Sequence, residues 1–208
     1  MLHSDVLTPC ALDLLDRIQR SETFAHVRLA GGTALALQLG HRTSIDLDFF
    51  GQEALDPLDV EQELKNDGPV AFRTRGRRIQ RYLVSGVQVD FVEYAYPWLD
   101  APVVADGLRL ASCRDIAAMK LAAITNRGTK KDFVDLAFLL DCFSLDDMLA
   151  FYLQKFSDGS IFPVLKSLVF FDDAEEDPMP NMLKPCDWET VKRRIAETVA
   201  RYSPSSNG

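Results

Sequence analysis

The segment SIDLDFF, residues 44–50, constrains the fold more than any other stretch of the chain. Successive side chains on a strand point to opposite faces, so Asp46 and Asp48 share one face while Ile45, Leu47 and Phe49 share the other. Aspartate is disfavoured in strands. Two at i and i+2 between large apolar residues require a sheet with one buried face and one polar face. The strand rise sets their Cα atoms about 7 Å apart. At that spacing both carboxylates can converge on one Mg²⁺ or grip a close pair of ions, and Mg²⁺ commonly takes one or two carboxylates beside substrate phosphates. A solvated strand face carrying two aspartates is the alternative.

Two other segments carry chemistry. In LAGGTALAL, residues 29–37, paired glycines stand at an expected strand-to-helix junction. Glycine lets backbone N–H groups approach a phosphate, and a helix start favours anions. Thr33 adds a hydroxyl. An ordinary tight turn is the rival reading, and no GKS or GKT follows to make a Walker loop. In VQVDFVEY, residues 87–94, Val87, Val89 and Phe91 share a strand face and Asp90 takes the other. Ser85-Gly86 reads as a two-residue hairpin turn, a register that sets Arg81 opposite Asp90. Asp90 is then either a third carboxylate, for metal binding or general base catalysis, or half of a cross-strand ion pair.

Alternation and helical periodicity place these motifs in order. Helices are expected over 7–20, 33–39 and 57–65, and strands over 26–30, 44–50, 70–75, 78–84 and 87–94. After Pro102 the pattern turns helical: 116–125, 131–143, 145–156, 161–171 and 188–201, with a loop over 172–185. Ser112 followed by Asp115 reads as a helix start. The fold class is thus α/β, a mixed-sheet core over residues 1–110 with a helical C-terminal half over 111–208.

Composition removes competitors. Hydrophobic residues make up 47% and charged residues 26% of 208, the balance of an ordinary globular chain. No stretch approaches the ~20 apolar residues of a membrane span, and the first ten residues lack a signal-peptide pattern. A cytoplasmic protein with no membrane partner is expected. Cys10, Cys113, Cys142 and Cys186 form no CxxC, and His3, His26 and His41 form no HExxH. Structural zinc, zinc hydrolysis and Ser-His-Asp catalysis therefore lose most of their candidates. Net charge is −8, against the basic balance of a protein that coats nucleic acid. The charge is uneven: residues 73–81 hold five arginines without an acid, and residues 172–177 hold five acids in six. The arginine strip suits either phosphate contacts or a charged edge strand that resists aggregation.

Together the motifs say more than any one alone. Gly31-Gly32, thirteen residues, Asp-Leu-Asp, and a third Asp on a later strand match the nucleotidyltransferase pattern of the DNA polymerase β superfamily. More narrowly, GGTALALQLGHRTSIDLDFF, VDFV and DIAAMKLAAITNRGTKKDFVDLAFLL resemble the AbiEii-type nucleotidyltransferases, which include toxins of abortive-infection and toxin–antitoxin systems. The resemblance implies a nucleotidyltransferase-type mixed sheet and transfer of a nucleoside monophosphate from an NTP to an acceptor, with Mg²⁺ or Mn²⁺. A tRNA end is among the acceptors it implies, and an antitoxin protein among the partners. It assigns the nucleotide to Gly31, Gly32 and Thr33, with Arg42 and Ser44 in the R-x-S-x-D-x-D run. It assigns metal to Asp46 and Asp48, and places Asp90 as a further ligand or as activator of the acceptor hydroxyl. It adds Lys120 as a catalytic cation and Asp132 or Asp135 as an acidic partner at the nucleotide. Read from the residues alone, Lys120 either reaches a phosphate or snorkels, and the two aspartates pair with Lys131 or Arg127. A DxD glycosyltransferase leaves the paired glycines and Asp90 unused. A haloacid-dehalogenase-type phosphatase is a poor match because Phe49-Phe50 follows the DxD. A degenerate nucleotide-binding or interaction module without catalysis remains the non-enzymatic alternative.

Overall fold

The computed structural model describes residues 1–202, save the side chains of Asp67, Phe72, Arg73 and Arg75. The chain divides into two compact units, Met1–Ser112 and Cys113–Gly208. Among the described residues no helix is long and apolar enough to cross a membrane.

The first unit is built on a seven-stranded mixed sheet. In chain order its elements are α1 (Pro9–Arg20), β1 (Arg28–Leu29), α2 (Gly31–Leu39), β2 (Leu47–Gly51), α3 (Pro57–Leu64), β3 (Val70–Arg75), β4 (Ile79–Val84), β5 (Val87–Glu93), β6 (Val103–Ala105) and β7 (Leu108–Leu110). Their spatial order is β3-β4-β5-β2-β1-β7-β6. Local chemistry starts and stops the helices. Thr8 caps α1 by accepting from the Ala11 N–H, with Pro9 next in line, where a missing N–H costs nothing. Asp56 caps α3 the same way, and Gly40 closes α2 at φ 62°.

β3, β4 and β5 form an antiparallel meander, and β5 then runs parallel to β2. The Ser85-Gly86 turn has φ of 48° and 86°, the left-handed pair a two-residue hairpin demands. Leu47, Phe49, Val89 and Phe91 fill the buried face. Phe91 stacks on both Phe24 and Phe49, at ring separations of 4.8 and 5.3 Å, and each buried phenyl contributes about 1.5–3 kcal/mol.

The 44–50 segment departs from its expected strand. The ladder of the 44–50 segment begins only at Leu47, and Ile45 is 68% exposed rather than buried with Leu47 and Phe49. The Thr33 hydroxyl captures the carbonyl of Asp46, taking that residue out of strand pairing. Residues 103–110, within the expected core but assigned no element from sequence, form a β6–β7 hairpin. Asp106 and Gly107, at φ 52° and 80°, make its turn, and β7 lies parallel to β1. The helix start read at Ser112 holds, the next helix beginning at Cys113 with Asp115 in its first turn, and Asp115 also pairs with Lys155.

The second unit is helical: α4 (Cys113–Asn126), α5 (Lys130–Leu139), α6 (Leu145–Lys155), α7 (Ile161–Leu168), α8 (Asp172–Glu175) and α9 (Trp188–Arg201). α6 starts with a capping box in which Ser144 and Asp147 exchange side-chain and backbone hydrogen bonds. The acidic run expected as loop contains the single turn α8. Phe133, Phe171 and Trp188 form one aromatic cluster. Lys130 lies over the Trp188 ring and donates to the carbonyls of Glu175 and Asp177. The Lys155–Asp115 pair, 2.6 Å apart, is fully buried on both sides.

Candidate active site

The polar face of the sheet gathers the aspartates. Parallel pairing of β2 with β5 sets Asp48 directly beside Asp90, on strands about 4.8 Å apart. Asp46 stands two residues earlier, just before the ladder, and both Asp46 and Asp48 are half-buried. Asp90 is 4% exposed.

Arg81 answers Asp90 across the β4–β5 hairpin, in the register the Ser85-Gly86 turn dictates. Its Nε donates to both Asp90 oxygens at 2.9 Å, and its Nη2 donates to Oδ2 at 2.7 Å. This is the fork geometry that makes arginine–carboxylate pairs strong. The Arg81 pKa is raised above its ordinary value, first by the hydrogen bond to Asp90, against desolvation, and further by the charges of Asp90, Asp48 and Asp46. One guanidinium therefore senses all three carboxylates.

The paired glycines come in from α2. Gly31 takes φ 64°, and a Cβ there would stand 3.2 Å from Oδ2 of Asp48. Only glycine fits so close a backbone approach without strain. Gly32 follows in the first turn of the helix, and Thr33 is buried behind it. The single Thr33 hydroxyl proton goes to the Asp46 carbonyl, so the 2.7 Å contact between Thr33 and Ser44 is a donation by Ser44. Arg42 is buried and donates from Nη1 to the Thr43 carbonyl at 3.0 Å. Thr33, Arg42 and Ser44 thus shape the loop that carries Asp46.

The donors are all hard oxygens, and Asp46 and Asp48 are the carboxylate pair that Mg²⁺ takes beside phosphates; the residues fit the ion. Among the described residues no three His, Cys, Asp or Glu side chains form a metal cage. Asp90, expected as a third ligand, has both oxygens turned to Arg81.

Lys120, Asp132 and Asp135 meet within the helical unit. Lys120 Nζ is 2.9 Å from Asp132 Oδ1 and 2.6 Å from Asp135 Oδ2, with all three side chains buried. Thr129 donates to Asp132 at 2.6 Å, and exposed Arg127 approaches it at 3.5 Å. Lys131 is exposed, so Lys120 rather than Lys131 is the main partner of the two aspartates. Burial works against the Lys120 charge, but Asp135 and Asp132 outweigh it and raise the pKa. Burial likewise opposes the Asp132 charge, and Lys120, Thr129 and Arg127 reverse it to a lowered pKa. The i, i+3 spacing of two aspartates on one helix was the available signal; a lysine twelve residues earlier was too distant in sequence to pair by inspection.

Of the arginine strip, Arg77 and Arg78 are exposed at the β3–β4 turn, and Arg81 is held by Asp90. The side chains of Arg73 and Arg75 lie outside the described residues.

The fold has solved relatives. The chain superposes on JHP933 of Helicobacter pylori with a TM-score of 0.57 at 21% identity, over 93% of this chain and 92% of that one. It superposes on MenT4, a nucleotidyltransferase toxin of Mycobacterium tuberculosis H37Rv, with a TM-score of 0.51 at 17% identity, over 95% and 87%. The architecture is a nucleotidyltransferase fold. In sequence it is 34% identical to aq_aa25, an uncharacterized protein of Aquifex aeolicus (strain VF5), over 180 residues, 84% of this chain and 86% of that one. The family described as nucleotidyl transferase AbiEii toxin, type IV TA system, matches residues 13–203, and the chain belongs to it.

Proposed function

We propose that this protein transfers a nucleoside monophosphate from an NTP to an acceptor hydroxyl and releases pyrophosphate, as the toxin of a toxin–antitoxin pair in the cytoplasm. The observation that carries the reading is the pairing of Asp48 with Asp90 on adjacent parallel strands, with the backbone of Gly31 against Asp48. A buried apolar face needs none of these features, and a solvated strand would not require a left-handed glycine against a carboxylate.

Each residue has work to do in this scheme. The backbone of Gly31 and Gly32 at the start of α2 receives the triphosphate, where free N–H groups and the helix dipole favour anions. Thr33, Ser44 and Arg42 hold the 42–46 loop in place. Asp46 and Asp48 hold Mg²⁺ or Mn²⁺, which when bound neutralises charge on the phosphates. Asp90, once released from Arg81, accepts the proton of the attacking hydroxyl. Catalysis is then mainly positioning and charge stabilisation. The sealed contacts of Lys120, Asp132 and Asp135 support a framework role for them in the helical unit.

A tRNA end is the favoured acceptor, because family membership points to a toxin; against a net charge of −8 its contact is confined to local patches such as Arg77 and Arg78. The test is incubation with each radiolabelled NTP and total tRNA, in Mg²⁺ or in EDTA. Label in tRNA in Mg²⁺ alone is the expected result; label in protein or small molecules would redirect the acceptor, and none in any fraction would overturn the reading.

A further inference from the structure

Three carboxylates on one polar face repel one another, and like charges on adjacent strands are destabilising. The cluster nonetheless contains a counter-charge of its own. Arg81 holds both oxygens of Asp90 from the neighbouring strand. Its side chain is 40% exposed while that of Asp90 is 5% exposed, so the cation sits on the solvent side of the carboxylate it grips.

We infer that Arg81 is the site's resident counter-cation, a positioning residue that competes with the divalent ion for the aspartates and yields Asp90 only when nucleotide phosphates offer its guanidinium another fork to bind. The inference rests on the nucleotidyltransferase reading and adds a regulated step to it. In the resting protein both oxygens of Asp90 are engaged by Arg81. A triphosphate presents the same bidentate oxygen geometry as a carboxylate, and the exposed side of Arg81 is where it would arrive. The divalent charge then replaces the arginine's charge over the cluster. The site is therefore stable when empty, and its base is exposed only when ion and nucleotide are both present. A merely structural ion pair at a sheet edge would stabilise the hairpin but would not set metal affinity.

Mn²⁺ titration followed by electron paramagnetic resonance, on the full chain without nucleotide, separates these. Arg81→Gln removes one unit charge near the ion and is expected to bind Mn²⁺ about tenfold more tightly than wild type, the effect of that charge on a divalent ion a few ångströms away in a water-like dielectric. Its metal-free melting temperature falls, and Mn²⁺ raises it by more than it raises that of wild type. Arg81→Lys keeps the charge and loses the fork, so its gain in affinity is smaller than that of Arg81→Gln and comes only from freeing the Asp90 oxygens. It serves as the reading if Arg81→Gln does not fold. Unchanged or weaker Mn²⁺ affinity in the folded variants overturns the inference. Asp48→Asn separates that failure from a failure of the reading beneath it. If wild type and Arg81→Gln bind equally and Asp48→Asn does not bind, the inference alone falls. If none of the three binds, the metal reading falls with it.

Discussion

At Gly31 the demand on a single residue is steric and conformational at once. Its φ is 64° and an added Cβ would stand 3.2 Å from Asp48 Oδ2. Gly31→Ala is expected to cost about 1–2 kcal/mol of stability from the left-handed backbone and, separately, to lose the thermal stabilisation that NTP with Mg²⁺ gives wild type. Equal ligand-induced shifts in the two proteins would make the turn purely structural. Lys120 poses a different problem, because removing it strands two buried carboxylates. Lys120→Met is expected to destabilise by about 3–5 kcal/mol in urea unfolding, with much of the loss recovered in a Lys120→Met, Asp132→Asn, Asp135→Asn triple variant. The pH dependence follows in sign. The lowered Asp132 pKa contributes stability present above its ordinary 3.8 and lost as pH falls through the folded value. The raised Lys120 pKa contributes stability present below 10.5 and lost as pH rises through the folded value. Melting temperature should therefore drop on acidification below about pH 4 in wild type, and Lys120→Met should lack that component. A parallel acid profile in both would contradict the pairing.

The β4–β5 hairpin turns sequence into register. Ser85-Gly86 fixes a two-residue loop, and that loop alone sets Arg81 against Asp90; a slip of one residue would send Asp90 to the apolar face. Gly86 has φ 86°, and a Cβ there would meet nothing within 4 Å. Gly86→Ala therefore reads backbone strain alone and should cost about 1–2 kcal/mol, measured by urea denaturation; no cost would mean the turn can adopt another form. Elements with strong local signals were legible before the structure. α9 was outlined to the residue by its amphipathic spacing, and β3 by alternation between turn residues. β6 and β7 were not, because three residues are too few to show a period, although Asp106-Gly107 marked their turn. The start of β2 was also misplaced: alternation extends through Ile45, but the Thr33 hydroxyl takes the Asp46 carbonyl, a contact thirteen residues away. The DxD and the Arg81–Asp90 register were legible because both are local. The Lys155–Asp115 pair and the anchoring of Lys130 were not, since forty or more residues separate the partners and only tertiary packing joins them.

Over the whole molecule, 31 acidic residues outweigh 23 basic ones, so affinity for a polyanion depends on where exposed cations lie together. Arg81 is engaged by Asp90 and Lys130 by backbone carbonyls. Arg77 and Arg78 are exposed together. Two phosphate contacts predict a log–log salt slope of roughly −1.4 to −1.8 for tRNA binding, and Arg77→Ala with Arg78→Ala should flatten it while leaving NTP binding unchanged. An unaltered slope would move the acceptor contact elsewhere. Whatever the acceptor, the account stands on the pair of aspartates at the start of β2. The most direct measurement is pyrophosphate release from NTP and tRNA in Mg²⁺ by wild type and by Asp48→Asn, with folding of both verified by circular dichroism. The account predicts release by wild type, matched by label entering tRNA, and a loss of at least about a hundredfold in a folded Asp48→Asn protein. Asp48→Asn turning over at the wild-type rate would contradict it.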